Sequence, residues 1–161
     1  MVRFKNRYLV CEINNDNGGK LNFSMFDLLN CIKNGVTKYH GDYGMGCIMT
    51  SIQVKHFNPD TGITIIRTKR GCHLMVQSTL TFINKIKEYD VMVHTIHIGG
   101  TINSCQKFLI RYHQKRLAES LKHCKTKEER VMVRKAIKRS DKVKKSKKSK
   151  QQPDTDSLDI Q

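Results

Sequence analysis

The stretch Gln53-Val54-Lys55-His56-Phe57-Asn58-Pro59-Asp60-Thr61-Gly62-Ile63-Thr64-Ile65-Ile66-Arg67 sets two β-rich runs around one turn. Proline presets the φ of a turn, aspartate bonds its own nearby backbone and glycine accepts a positive φ. Residues 58–62 therefore read as a hairpin connection, not a crossover. The run before the turn reaches back to residue 47, with Ile48, Ile52 and Val54 on one face. The run after it spans Ile63 to Arg67. Two neighbouring antiparallel strands are expected near the middle of the chain.

Working outward, each side of this hairpin carries a helical pattern. Upstream, Ser24 with Asp27 has capping-box spacing, and Met25, Leu28, Leu29, Ile32, Val36 and Tyr39 recur at helical spacing until Gly41. Downstream, Val76, Leu80, Ile83 and Ile86 predict a helix over about 72–87. Beyond the helices lie two more strands. Arg3 to Ile13 puts Leu9, Cys11 and Ile13 on one face and Phe4, Tyr8 and Val10 on the other; Val91 to Ile98 runs into Gly99-Gly100. Strand, helix, strand, strand, helix, strand is the split βαβ order of ferredoxin-like folds, an α+β sandwich within the broad α/β class. A four-stranded antiparallel sheet covered on one face by two helices is expected. A long helix from near Thr101 to about His123 follows, and Thr126 with Glu129 predicts another over about 127–139. The expected organisation is a folded body over 1–124, an added helix over 125–139 and a disordered Lys/Ser-rich tail over 140–161, where apolar residues are too few to offset chain entropy.

Charge follows the same division. The chain of 161 residues carries 30 Lys and Arg against 14 Asp and Glu, a formal charge of +16. Residues 1–100 contribute +5, residues 101–133 another +5, residues 134–150 contribute +9, and the last eleven contribute −3. A densely basic tail thus follows a moderately basic body, and a polyanionic partner is implied. The tail, Lys142 to Lys150, reads as a nuclear-import or nucleic-acid patch whose serines could be phosphorylated. No apolar run approaches the ~18–20 residues of a membrane span, and no apolar segment follows the charged start, so membrane and secreted classes are set aside. The six cysteines include no Cys-x-x-Cys pair, and most sit in apolar-periodic segments; a reducing compartment without disulfides is expected.

The motifs of catalysis are missing from the sequence: no acidic pair, Ser-His-Asp signature, phosphate-loop Gly-Lys or His-Glu-x-x-His set occurs. The loop 14–19 lacks the Arg of an acylphosphatase and the Cys-x-x-Cys of a copper chaperone. His94 and His97, three apart, are expected on opposite faces of their strand and so unable to share a metal.

Binding features stand out instead. Arg3, Lys5 and Arg7 alternate with Phe4, Asn6 and Tyr8, a row of cations along one edge of the first strand that can track phosphates, with Phe4 or Tyr8 available for stacking. Gly99-Gly100-Thr101 joins the last strand to a helix, where a bare backbone and a helix N-terminus suit an anion. Just downstream, Lys107, Arg111, Lys115 and Lys122 share one helical face, with Cys105, Phe108, Leu109, Tyr112 and Leu121 opposite. Glu119 is the one acid in that helix.

The opening Met-Val-Arg-Phe-Lys-Asn-Arg-Tyr-Leu resembles that of the Pop-five-type protein subunit of ribonuclease P and ribonuclease MRP. So do Gly41-Asp42-Tyr43-Gly44, Thr61 to Arg67, His97-Ile98-Gly99-Gly100-Thr101-Ile102 and Cys105-Gln106-Lys107-Phe108-Leu109-Ile110, in family order. The resemblance implies a ferredoxin-like accessory protein in the nucleus and nucleolus, packed against sister subunits around a catalytic RNA. That RNA, with its own magnesium, removes the 5′ leader of precursor tRNA, and the MRP particle processes precursor ribosomal RNA; no cofactor is expected on the protein itself. Carried over residue by residue, Arg3, Lys5, Arg7, Arg67, Thr101 and Lys107 match the family's basic and strand-to-helix positions. Asn103 departs from it, standing where a basic residue is expected, and the basic tail is a second departure. With Tyr8, Gly99, Gly100, Arg111 and Lys115, these residues make up the expected RNA footprint. The rival reading is a protein–protein scaffold that binds a sister subunit through Phe4, Tyr8 and Val10 on an open sheet face.

Overall fold

A computed structural model describes residues 5–15, 19, 21–123, 129–133 and 135. The elements are β1 (Asn6–Asn15), α1 (Met25–Ile48), β2 (Gln53–Phe57), β3 (Ile63–Lys69), α2 (His73–Thr81), β4 (Lys85–Ile86), β5 (Tyr89–Gly99) and α3 (Ile102–His123). The sheet is antiparallel in the order β2-β3-β1-β5-β4. This is the expected ferredoxin-like βαββαβ sandwich with one short strand added at an edge. Two compact units divide the chain, Met1–Cys105 and Gln106–Gln161. Residues 129–133 are helical within the span expected for a further helix; the rest of that span and the Lys/Ser-rich tail lie outside the described residues.

The core of the first unit forms where the period-2 face of the strands meets the period-3.6 face of the helices. Leu9, Cys11 and Ile13 of β1, Ile66 of β3 and Val91 and Val93 of β5 meet Leu28, Ile32 and Val36 of α1 and Val76 and Leu80 of α2. Burying each Leu or Ile side chain contributes roughly 1.5–3 kcal/mol. At the end of β1 nearest Asn15, Phe23 stacks on Phe57 at 4.8 Å and Tyr89 tilts against Phe23 at 6.2 Å.

The capping box at the start of α1 is present as expected. Ser24 Oγ accepts from the Asp27 amide at 3.2 Å, and Asp27 Oδ2 accepts from the Ser24 amide at 2.8 Å. The hairpin turn is also as expected. Gly62 takes φ 65°, and its carbonyl accepts from the Ile13 amide at 2.9 Å. A Cβ at Gly62 would collide with the Ile13 carbonyl oxygen, so both the torsion and the close approach require glycine.

Four details differ from the sequence-based expectation. Gly41 (φ 63°, ψ −162°) interrupts α1, but the helix resumes and carries Cys47 and Ile48, which were expected in a strand. The second helix stops at Thr81, not near residue 87. Ile83 and Ile86 are buried as expected, yet Ile86 belongs to β4 and pairs with Tyr89. Spacings of three residues fitted a helix there, while the hydroxyls of Ser78, Thr79 and Thr81 bond back to carbonyls in the final turns. β1 is a central strand, so its cations mark one end of the sheet, not an edge. Finally, Val10 faces His97 while Cys11 faces Thr95, leaving Ile96 as the extra residue of a bulge. The bulge reverses the alternation, so His94, opposite Glu12, and His97, opposite Val10, share a face. Among the described residues, no three His, Cys, Asp or Glu side chains are arranged to hold a metal.

Candidate nucleic-acid interface

The pairing of β1 with β3 assembles a basic cluster that no local motif announces. Asn6 opposes Lys69 and Tyr8 opposes Arg67, and the Arg70 amide donates to the Lys5 carbonyl at 2.9 Å. Lys5, Arg7, Arg67, Lys69 and Arg70 thus come together at the amino-terminal end of β1. Segments 1–11, 61–87 and 99–118, which supply this end and the following helix, contain no acid at all. Lys69 and Arg70 are the residues that sequence reasoning missed; their signal was a long-range strand pairing.

Within the cluster the two faces of the sheet differ. On the face opposite the core, Gly99, Tyr8, Arg67 and Gln53 form one row across β5, β1, β3 and β2. Arg67 Nη1 donates to Gln53 Oε1 at 3.5 Å, which orients the guanidinium, and Arg67 Nε is buried without a partner. Tyr8 and Arg67 are both half-buried. Arg7 alternates to the other face with Leu9, where it opposes the buried Thr68. Its guanidinium lies against Gly100, with Nη1 3.4 Å from where a Cβ on that residue would stand.

The glycine turn has a definite structural task as well. A Cβ at Gly99 would stand 2.6 Å from Cys105 Sγ, so the missing side chain is what lets the first turn of α3 approach the strand. Cys105, fully buried, donates its thiol to the Tyr8 carbonyl at 3.7 Å, and burial pushes that thiol upward from its ordinary pKa. Thr101 caps α3, its hydroxyl accepting from the Ser104 amide at 3.2 Å. Thr101 is therefore first a helix cap, while Gly100 and Asn103 are exposed beside it.

In the second unit, Lys107, Arg111 and Lys115 are exposed along α3, and Lys122 continues their stripe. From Lys107 to Lys122 the helix rises roughly 22 Å at ~1.5 Å per residue. Phe108, Leu109, Tyr112 and Leu121 are half-buried, as expected of a packing face. Phe108 stacks on Tyr112 at 5.9 Å, and Arg116 lies over the Tyr112 ring at 5.8 Å. Arg3 and Phe4 lie outside the described residues. Val10, which the scaffold reading needs on an open face, is fully buried.

An antiparallel sheet in this order with two helices packed on it defines an α+β, ferredoxin-like domain, basic at one sheet end. Residues 7–110 match the model of the Rpp14/Pop5 family. The chain belongs to that family. It is 36% identical over 146 residues to the ribonuclease P/MRP protein subunit POP5 of Homo sapiens, covering 87% of this chain and 89% of that protein. The protein of the same name in Danio rerio is 38% identical over 144 residues, 85% of each chain. Ribonuclease P protein component 2 of Methanobrevibacter smithii is 30% identical over 118 residues, covering 67% of this chain and 91% of that protein.

Proposed function

We propose that this chain is a non-catalytic protein subunit of ribonuclease P and ribonuclease MRP that binds the RNA of those particles. The observation that carries the reading is the convergence of Lys5, Arg7, Arg67, Lys69 and Arg70 at one sheet end, beside the Gly99-Gly100 turn. Guanidinium groups bond phosphate oxygens in pairs, and ammonium groups add charge without demanding one geometry, so such an end fits a folded RNA backbone. In the second unit, the exposed α3 stripe of Lys107, Arg111 and Lys115 is a positive surface of its own that suits RNA.

In this role the protein positions and neutralises RNA. Magnesium stays with the RNA, which performs 5′-leader removal from precursor tRNA and, in the MRP particle, cleavage of precursor ribosomal RNA. The setting is the nucleus and nucleolus, with other protein subunits of the particles as neighbours. Two experiments test the assignment. Sequencing the RNA that co-purifies with the tagged full chain is expected to return the RNA components of both particles. In reconstituted particles, the triple variant K5A/R7A/R70A is expected to lower precursor tRNA cleavage at moderate salt, with recovery at low salt. Full cleavage by that variant throughout a salt titration would remove the basic end from the RNA interface, and cleavage by the purified chain alone would overturn the accessory role.

A further inference from the structure

One pair of cysteines lies outside the cations of the proposed RNA interface. Cys47 lies in the last turn of α1, and Cys72 is the residue that caps α2. Cys72 Sγ donates to the Cys47 carbonyl at 3.4 Å, so its sulfur lies against the residue that bears the second thiol. The other described cysteines are directed elsewhere: Cys11 to Thr95 Oγ1 at 3.7 Å, Cys31 to the Lys85 carbonyl at 3.4 Å and Cys105 to the Tyr8 carbonyl. Among the described residues, Cys72 is thus the cysteine whose sulfur bonds another cysteine, across two elements.

We propose that Cys47 and Cys72 are a reversible oxidation site, closing to an intramolecular disulfide when the chain meets hydrogen peroxide. Cys47 is half-buried and Cys72 is 7% exposed, so solvent-borne oxidant reaches Cys47 first. Burial pushes the Cys72 thiol up, with Cys47 adding to the rise and Lys69 opposing it, which suits Cys72 to the second step. The Cys47 thiolate attacks one peroxide oxygen, the O–O bond breaks, and the departing hydroxide takes up the Cys47 proton as water. Cys72 sulfur then attacks the Cys47 sulfenic sulfur, the S–S bond forms and the S–O bond breaks. The hydroxide released takes the Cys72 proton and becomes a second water. Two thiols and one peroxide give one disulfide and two waters, and a small dithiol reductant reverses the change.

The bond would pin a turn that adjoins the basic end. The Cys72 amide donates to the Lys69 carbonyl at 3.0 Å, and the neighbouring Arg70 amide donates to the Lys5 carbonyl at 2.9 Å. The test uses the reduced full chain, exposed to graded hydrogen peroxide and mapped by non-reducing peptide mass spectrometry. A Cys47–Cys72 linked peptide, lighter by two hydrogens and cleaved by dithiothreitol, is expected as the first product. The C72S variant is expected to accumulate a sulfenic acid at Cys47, trapped by dimedone, well above the wild-type level. A first linkage through any other cysteine, within or between chains, would overturn the proposal. So would equal dimedone labelling of Cys47 with and without Cys72.

Discussion

The two ends of β1 are built on opposite terms. Near Asn15 described groups are tied together inside the fold: Phe23, Phe57 and Tyr89 pack together, Gly62 bonds Ile13, and the Ser24–Asp27 capping box is tied to Lys87 by a 2.7 Å ion pair. Near Asn6 the same sheet gathers Lys5, Arg7, Arg67, Lys69 and Arg70 from segments that hold no acid. Like charges brought together oppose folding, which is why the proposed function assigns this end to a polyanionic partner. On the proposed function, substitutions at the two ends should separate stability from binding.

The largest stability loss is expected at the packed end. Leu28→Ala empties a fully buried site under the sheet and should cost about 2–5 kcal/mol in denaturant unfolding, with RNA affinity preserved where the chain is folded. Gly62→Ala forces a positive φ on a side chain aimed at the Ile13 carbonyl, and a cost of about 1–3 kcal/mol or more is expected. Ser24→Ala removes the cap of α1 and should cost about 1 kcal/mol, read as a lower melting temperature.

Acid offers a gentler probe of the same end. The hydrogen bond from Lys87, and then those from Ser24, hold the Asp27 carboxyl down at about 2, against an ordinary 3.8. A depressed carboxylate stabilises the fold fully above its unfolded value and loses that contribution as pH falls from 3.8 towards 2. Asp27→Asn should flatten the acid limb of the stability curve in that window; an unchanged limb would break the link between Lys87 and the cap. The smallest effect on stability is expected at the basic end, where Lys5→Ala or Arg70→Ala should stay within about 0.5 kcal/mol. A large loss there would mean that the cations support the fold itself.

Much of this architecture was legible because it depends on neighbours in sequence. Ser24 and Asp27 lie three apart, Asn58 to Gly62 is a turn by composition, and Lys107, Arg111 and Lys115 recur at helical spacing. What escaped depends on pairing between distant segments or on one residue out of step. The bulge at Ile96 reversed the faces of His94 and His97, since counting by twos presumes an unbroken ladder. Leu80, Ile83 and Ile86 recur every three residues, a spacing that a helix end followed by a short strand satisfied as well as a longer helix. Lys69 and Arg70 gain their place beside Lys5 only from the β1–β3 register, which no local pattern encodes.

The central claim is that the Lys5 end of the sheet meets RNA phosphates, and the salt dependence of binding tests it most directly. With about eight phosphate contacts, log affinity for the RNA should fall against log salt with a slope near −6, at ~0.7 per phosphate. The variant K5A/R7A/R70A should bring that slope to roughly −4, each lost cation removing one counterion-releasing contact. An identical slope for the wild type and the triple variant would contradict the account.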